Sequence, residues 1–96
     1  MGVRFSPRAD MELVETTDVI AADDLARALE FQDKLVERAE GIGLTPYGYP
    51  ERPELGRGLR VCPHQAYNIY YTVDDEGVRI ERIIHSARAP GPPLNS

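Results

Sequence analysis

The amino-acid sequence predicts a two-layer α+β domain, a helical hairpin packed on a mainly antiparallel four-stranded sheet in the order β-α-α-β-β-β. Three observations carry this. Apolar residues recur at helical spacing up to about residue 41, a proline- and glycine-rich stretch of about fourteen residues follows, and the apolar period then falls to two. With 96 residues, 42% of them hydrophobic and 28% charged, the chain has the size and composition of one ordinary globular domain. Its boundaries are read as residues 1–88, with a proline-rich tail over 89–96.

Val3 to Phe5 is the first short strand. Ser6-Pro7 starts a helix, with Ser6 as N-cap and Pro7 at the first helical position, where a missing N–H costs nothing. That helix runs to about Ile20, with Met11 and Val14 on one side and Ala9, Leu13 and Ile20 nearer the other. Its apolar stripe is thin, so it depends on packing. Asp23 or Asp24 caps the next helix, about Asp24 to Gly41, in which Leu25, Ala28, Leu29, Leu35, Val36 and Ala39 keep helical spacing. Gly41 and Gly43 are expected to end it. The loop from Thr45 to Gly58 holds three prolines and three glycines.

Leu59 to Cys62 reads as a strand and Pro63-His64-Gln65 as a turn. Tyr67, Ile69, Tyr71 and Val73 alternate with polar or outward residues, as in a half-buried strand. Asp74-Asp75-Glu76-Gly77 is a hairpin turn with Gly77 at the position needing positive φ. Val78 to His85 closes the sheet, with Val78, Ile80 and Ile84 assigned to one face and Ile83 to the other. The first strand must pair within the meander or stand as an edge.

Composition removes several function classes. No apolar run approaches the roughly 18–20 residues of a membrane span, and Met1-Gly2-Val3-Arg4-Phe5 lacks the apolar stretch of a signal peptide. Cys62, the one cysteine, has no internal disulfide partner. A cytoplasmic location is expected, with no membrane contact. The formal net charge is −5. Residues 1–40 carry the excess of acids, and residues 41–96 hold equal numbers of each sign with arginine as their only strong base. Direct nucleic-acid binding by the chain alone is therefore not expected.

With the elements placed, Gly58-Leu59-Arg60, Tyr67-x-Ile69-x-Tyr71 and Val78-x-Ile80-x-Arg82-Ile83-Ile84-His85-x-x-Arg88 form a recognisable series. Together with the opening Val3-Arg4-Phe5-Ser6-Pro7-Arg8-Ala9 and with Pro53-Glu54-Leu55-Gly56, they resemble the RelE/ParE superfamily of type II toxin–antitoxin toxins, the ParE branch in particular. The likeness runs from about Val3 to Arg88. It implies a toxin that binds and poisons DNA gyrase and is neutralised by a cognate antitoxin in a hetero-oligomer. It also implies target contact at the C-terminal end, through Arg82, His85 and Arg88. The RelE branch implies the alternative, a metal-free, ribosome-dependent cleavage of mRNA. The lysines of a nuclease pattern are missing from the strand region, which leaves Arg60, His64, Arg82 and His85 to supply acid–base and cationic groups. A third class is a non-toxic module that binds only the antitoxin.

Each of these residues also has a purely structural reading. Arg82 in register with Ile80 and Ile84 needs a partner, and a carboxylate of the helical hairpin would serve. His85 would bond nearby backbone, and His64 would sit exposed in its turn. Tyr67 and Tyr71 belong in the core. Tyr70 points the other way: its structural reading is packing at the core rim, its functional one stacking on a base or antitoxin contact, and it is assigned, with Leu25 and Leu29, to the antitoxin. Cys62-Pro63-His64 is too closely spaced for a zinc site and has no second pair, and Gly56-Arg57-Gly58 lacks the phosphate-loop pattern. No metal or cofactor is expected.

Overall fold

A computed structural model describes residues 2–88. Its elements are β1 (Val3–Phe5), α1 (Pro7–Asp23), α2 (Leu25–Leu44), β2 (Arg60–His64), β3 (Tyr67–Asp74) and β4 (Gly77–His85). The sheet order is β1-β4-β3-β2, with β1 parallel to β4 and the other pairs antiparallel. The expected α+β architecture and mainly antiparallel sheet are present, and β1, whose partner the sequence left open, pairs parallel with β4. The proline-rich tail assigned to 89–96 lies outside the described residues.

Ser6 caps α1 as anticipated, its hydroxyl accepting from Ala9 N. Asp24 alone joins the helices. Its N–H closes α1 on Ile20 O, and its carboxylate accepts from Arg27 N to open α2. The hairpin is therefore as tight as one residue permits. The second helix does not stop at Gly41 or Gly43 but continues to Leu44, because Ile42 and Gly43 are buried against the sheet. Burial there outweighs the roughly 1 kcal/mol that each helical glycine costs.

The main core lies between the hairpin and one sheet face: Ala9, Leu13, Phe31, Leu35, Ala39 and Ile42 meet Cys62, Ile69, Tyr71, Val78, Ile80 and Ile83. Leu25 and Leu29, counted on the helical stripe from spacing alone, stay 64% and 53% exposed; Phe31 fills the core instead. A second, smaller core on the opposite face joins Leu59, Tyr70 and Ile84, with Leu55 and Val61 against it. This core exists because the long loop wraps the β2 edge. Glu51 bridges Arg60, Arg52 N donates to Leu59 O, and the loop then lays Leu55 and Leu59 on the outer face.

Two face assignments change as a result. β4 carries an extra residue, Glu81, where the pairing jumps from Tyr71–Ile80 to Tyr70–Arg82. This β-bulge resets the alternation, so Ile83 joins Val78 and Ile80 under the helices while Ile84 turns to the outer core. Arg82 accordingly pairs across from Tyr70 and does not share a face with Ile80. The other change concerns His64, which ends β2 in register with Tyr67 and is not in a turn. The turn is Gln65-Ala66, with Gln65 at φ 54°.

Gly77 matches its expectation for two reasons. Its φ is +120°, and a Cβ there would stand 2.4 Å from the carbonyl oxygen of Gly2. The second reason is what seats β1 beside β4, since Val78 N donates to that same oxygen.

Candidate functional site

β4 is nine residues long, but β1 covers only Val78–Ile80. From Glu81 onward no strand among the described residues pairs with the outer edge of β4, and unpaired strand groups need partners. Side chains at and near the start of α1 provide them. Ser6 N donates to Ile80 O, and Ser6 Oγ donates to Glu81 O at 2.8 Å. Further along α1, Glu12 Oε1 accepts from Ile83 N at 2.9 Å.

Glu12 is itself held. Arg82 Nε and Nη2 approach its carboxylate at 3.0 and 2.7 Å, with side chains 18% and 14% exposed. A forked, half-sheltered pair of this kind fixes both partners geometrically. Arg82 thus has the helix-hairpin carboxylate that its structural reading required.

Strand alternation points the N–H and C=O of Ile83 and His85 outward, because Ile83 N faces Glu12 while Ser86 N turns inward to Ala66 O; of these, Ile83 N is taken by Glu12 and His85 O accepts from Arg88 N at 2.9 Å. A groove of about 500 Å³ runs along this edge and α1. Arg82, His85 and Arg88 all line it, together with Arg8, Glu12 and the exposed Met11 and Val19. The three residues assigned to target contact therefore converge on one surface. In it His85 Nδ1 accepts from Ala87 N at 3.1 Å, and its ring stands edge-on to Tyr67 at 5.1 Å. The backbone-bonded reading of His85 holds. Arg88 is exposed just beyond the strand end.

The four residues of the nuclease alternative are not brought to one point. His64 and His85 both pair with Tyr67, from opposite sides, which separates them by two strand spacings, roughly 10 Å. His64 Nε2 is buried with no hydrogen-bond partner among the described residues, so this residue is not the exposed turn histidine that was expected. Burial pushes its pKa below the ordinary value, and the Arg38 and Lys34 cations push the same way. Arg60 sits on the β2 edge, donating to Tyr49 O and lying over the Tyr47 ring. It secures the loop.

The antitoxin trio also separates. Leu25 and Leu29, one turn apart, present an exposed apolar strip on α2. Tyr70, on the far side of the sheet, is only 4% exposed beneath Leu59. Its ring is core, a correction that follows from the loop covering the outer face. Sequence reasoning missed Glu12, which looks like any acid on a solvated helix. Only its i,i+4 relation to Arg8, 3.9 Å away in the structure, offered a signal. It also missed a second opening, a cleft of about 800 Å³ on the outer face lined by Arg8, Arg57, Arg79 and Arg82 with Asp74 and Glu81.

Comparison with known proteins agrees with this architecture. The family described as ParE toxin of type II toxin-antitoxin system, parDE, matches residues 3–90. No curated protein matches the chain. Among solved structures, a chain of the chromosomal ParDE TA system from P. aeruginosa superposes with a TM-score of 0.76 at 19% identity, covering 88% of this chain and 95% of that one. At that identity the likeness establishes the fold, and the family match covers nearly the whole sequence. The chain belongs to the ParE toxin family of type II toxin–antitoxin systems.

Proposed function

We propose that this toxin acts by binding and poisoning DNA gyrase in the cytoplasm, and that a cognate antitoxin neutralises it in a hetero-oligomer. The observation that carries the reading is the convergence of Arg82, His85 and Arg88 on the groove beside the uncovered edge of β4. A surface with outward backbone groups, cations and exposed Met11 and Val19 suits a protein partner, through strand addition combined with apolar contact. The exposed Leu25–Leu29 strip on α2 supports separate antitoxin contact, since an amphipathic helix anchors through residues one turn apart. Binding of this kind requires no acid–base pair.

A supercoiling assay with purified gyrase tests the proposal, scored for lost supercoiling and for linear, cleaved DNA. Inhibition that the antitoxin reverses is the expected result. No effect at clear molar excess would overturn gyrase as the target, and ribosome-stimulated mRNA cleavage lost on changing His64 or His85 would establish the nuclease instead.

A further inference from the structure

The backbone groups left open on the outer edge of β4 form a specific pattern. Ile83 N is held by Glu12 and His85 O by Arg88 N, while among the described residues Ile83 O has no donor and His85 N no acceptor. These two open groups lie on either side of Ile84. An antiparallel neighbour takes the N–H and C=O of one and the same residue, and at both Ile83 and His85 one of the two is already occupied. A parallel neighbour takes the C=O of one residue and the N–H two positions on. A single residue placed opposite Ile84 would therefore bond both open groups.

The rest of this edge is built in the same sense. β1 runs parallel to β4, with Val78 N donating to Gly2 O and Ser6 N donating to Ile80 O. Past the bulge at Glu81, Ser6 Oγ donates to Glu81 O and Glu12 Oε1 accepts from Ile83 N. Those are the two bonds that a parallel residue opposite Arg82 would make, supplied here by side chains. The open pair at Ile83 O and His85 N is the next rung. A second copy of this chain does not fit it through its own β4 edge, because a two-fold axis pairs one edge with itself in the antiparallel sense.

The lining selects the side chains of the occupant. A residue opposite Ile84 shares the outer sheet face with it, and the residues before and after turn to the helix side. There the exposed Met11 and Val19 line the groove. We propose that an extended segment of the target gyrase docks parallel to β4, one residue clamped between Ile83 O and His85 N, with apolar side chains immediately before and after it. The proposal deepens the gyrase reading and rests on it.

Hydrogen exchange resolved to single amides, on the toxin alone and with excess purified gyrase, tests the clamp. The His85 amide should exchange at least tenfold more slowly in the complex, while the Arg88 amide keeps its bond to His85 O and does not speed up. His85→Pro removes the donor without breaking a bond to β3, since the inward N–H is that of Ser86. His85→Ala loses the same imidazole but keeps the N–H, so the proline variant should bind gyrase at least tenfold more weakly than the alanine variant. Circular dichroism checks both folds, and the wild-type exchange decides alone if the proline variant does not fold. In a complex that forms, an unprotected His85 amide, an Arg88 amide that loses protection as His85 gains it, or equal binding by the two folded variants would each overturn the parallel clamp and leave gyrase as the target. Absence of any complex would overturn the gyrase reading and this occupant with it, so the two failures are distinct.

Discussion

The two long edges of the sheet are closed in different ways. At β2 the loop folds back on the strand with its own backbone, through the Glu51–Arg60 bridge and Arg52 N to Leu59 O, and Arg38 adds a bond to Pro63 O from α2. At the other edge β1 covers three residues of β4, and beyond them Ser6 and Glu12 satisfy individual groups. A backbone seal must be peeled away before anything else can pair there. At the β4 edge the Ser6 hydroxyl, the Glu12 carboxylate and Arg88 N make separate single bonds, each released without unpairing a strand. The difference supports the proposal that an incoming chain extends the β4 edge.

Breaking the side-chain seal should have the largest effect. Glu12→Ala leaves Arg82 without its carboxylate and Ile83 N without an acceptor, for an expected loss of about 3 kcal/mol in urea unfolding. Glu12→Gln, which still accepts from Ile83 N, should lose clearly less; equal losses would show that the strand-edge bond contributes nothing. Gly77→Ala attacks the backbone-covered part of the same strand. Positive φ and the clash with Gly2 O together should cost about 2–3 kcal/mol and detach β1, visible as rapid amide exchange at Val78. Ser6→Ala removes the α1 cap and the bond to Glu81 O, for about 1–2 kcal/mol.

The β2 edge yields a smaller, pH-dependent effect. His64 has a folded pKa below its ordinary value near 6.5, so the unfolded chain takes up its proton first. Its stabilising contribution is full above that value and is lost as pH falls from it toward the lower folded pKa. Comparing urea midpoints at several pH values, His64→Gln should flatten the slope in this window, and an unchanged slope would assign it to other groups. Smallest of all, Leu25→Ser with Leu29→Ser should alter stability by no more than about 0.5 kcal/mol while reducing antitoxin affinity in titration calorimetry.

How far this surface could be read from sequence depended on the range of the interactions. The Ser6-Pro7 start and the Gly77 turn are local signals, and each stands where its chemistry placed it; of the two cap candidates Asp23 and Asp24, Asp24 is the one used. The faces of Ile83 and Ile84 were not legible, because a bulge at Glu81 moves the phase and no residue announces it. Tyr70 was assigned to a partner because its strand alternates outward, but the loop that buries it arrives from ten or more positions upstream. The convergence of Arg82, His85 and Arg88 followed from the family resemblance. Glu12, seventy positions before Arg82, carried only its i,i+4 spacing from Arg8 to distinguish it from the other helical acids.

The claim that most needs testing is that the groove along the open β4 edge is where the toxin works. Growth after induction of Arg88→Ala, compared with wild type and with Leu44→Ser at matched expression, tests it most directly. The account predicts that Arg88→Ala weakens the arrest while its fold, checked by circular dichroism, is intact, and that Leu44→Ser arrests growth as wild type does. Undiminished arrest by a folded Arg88→Ala toxin would contradict it.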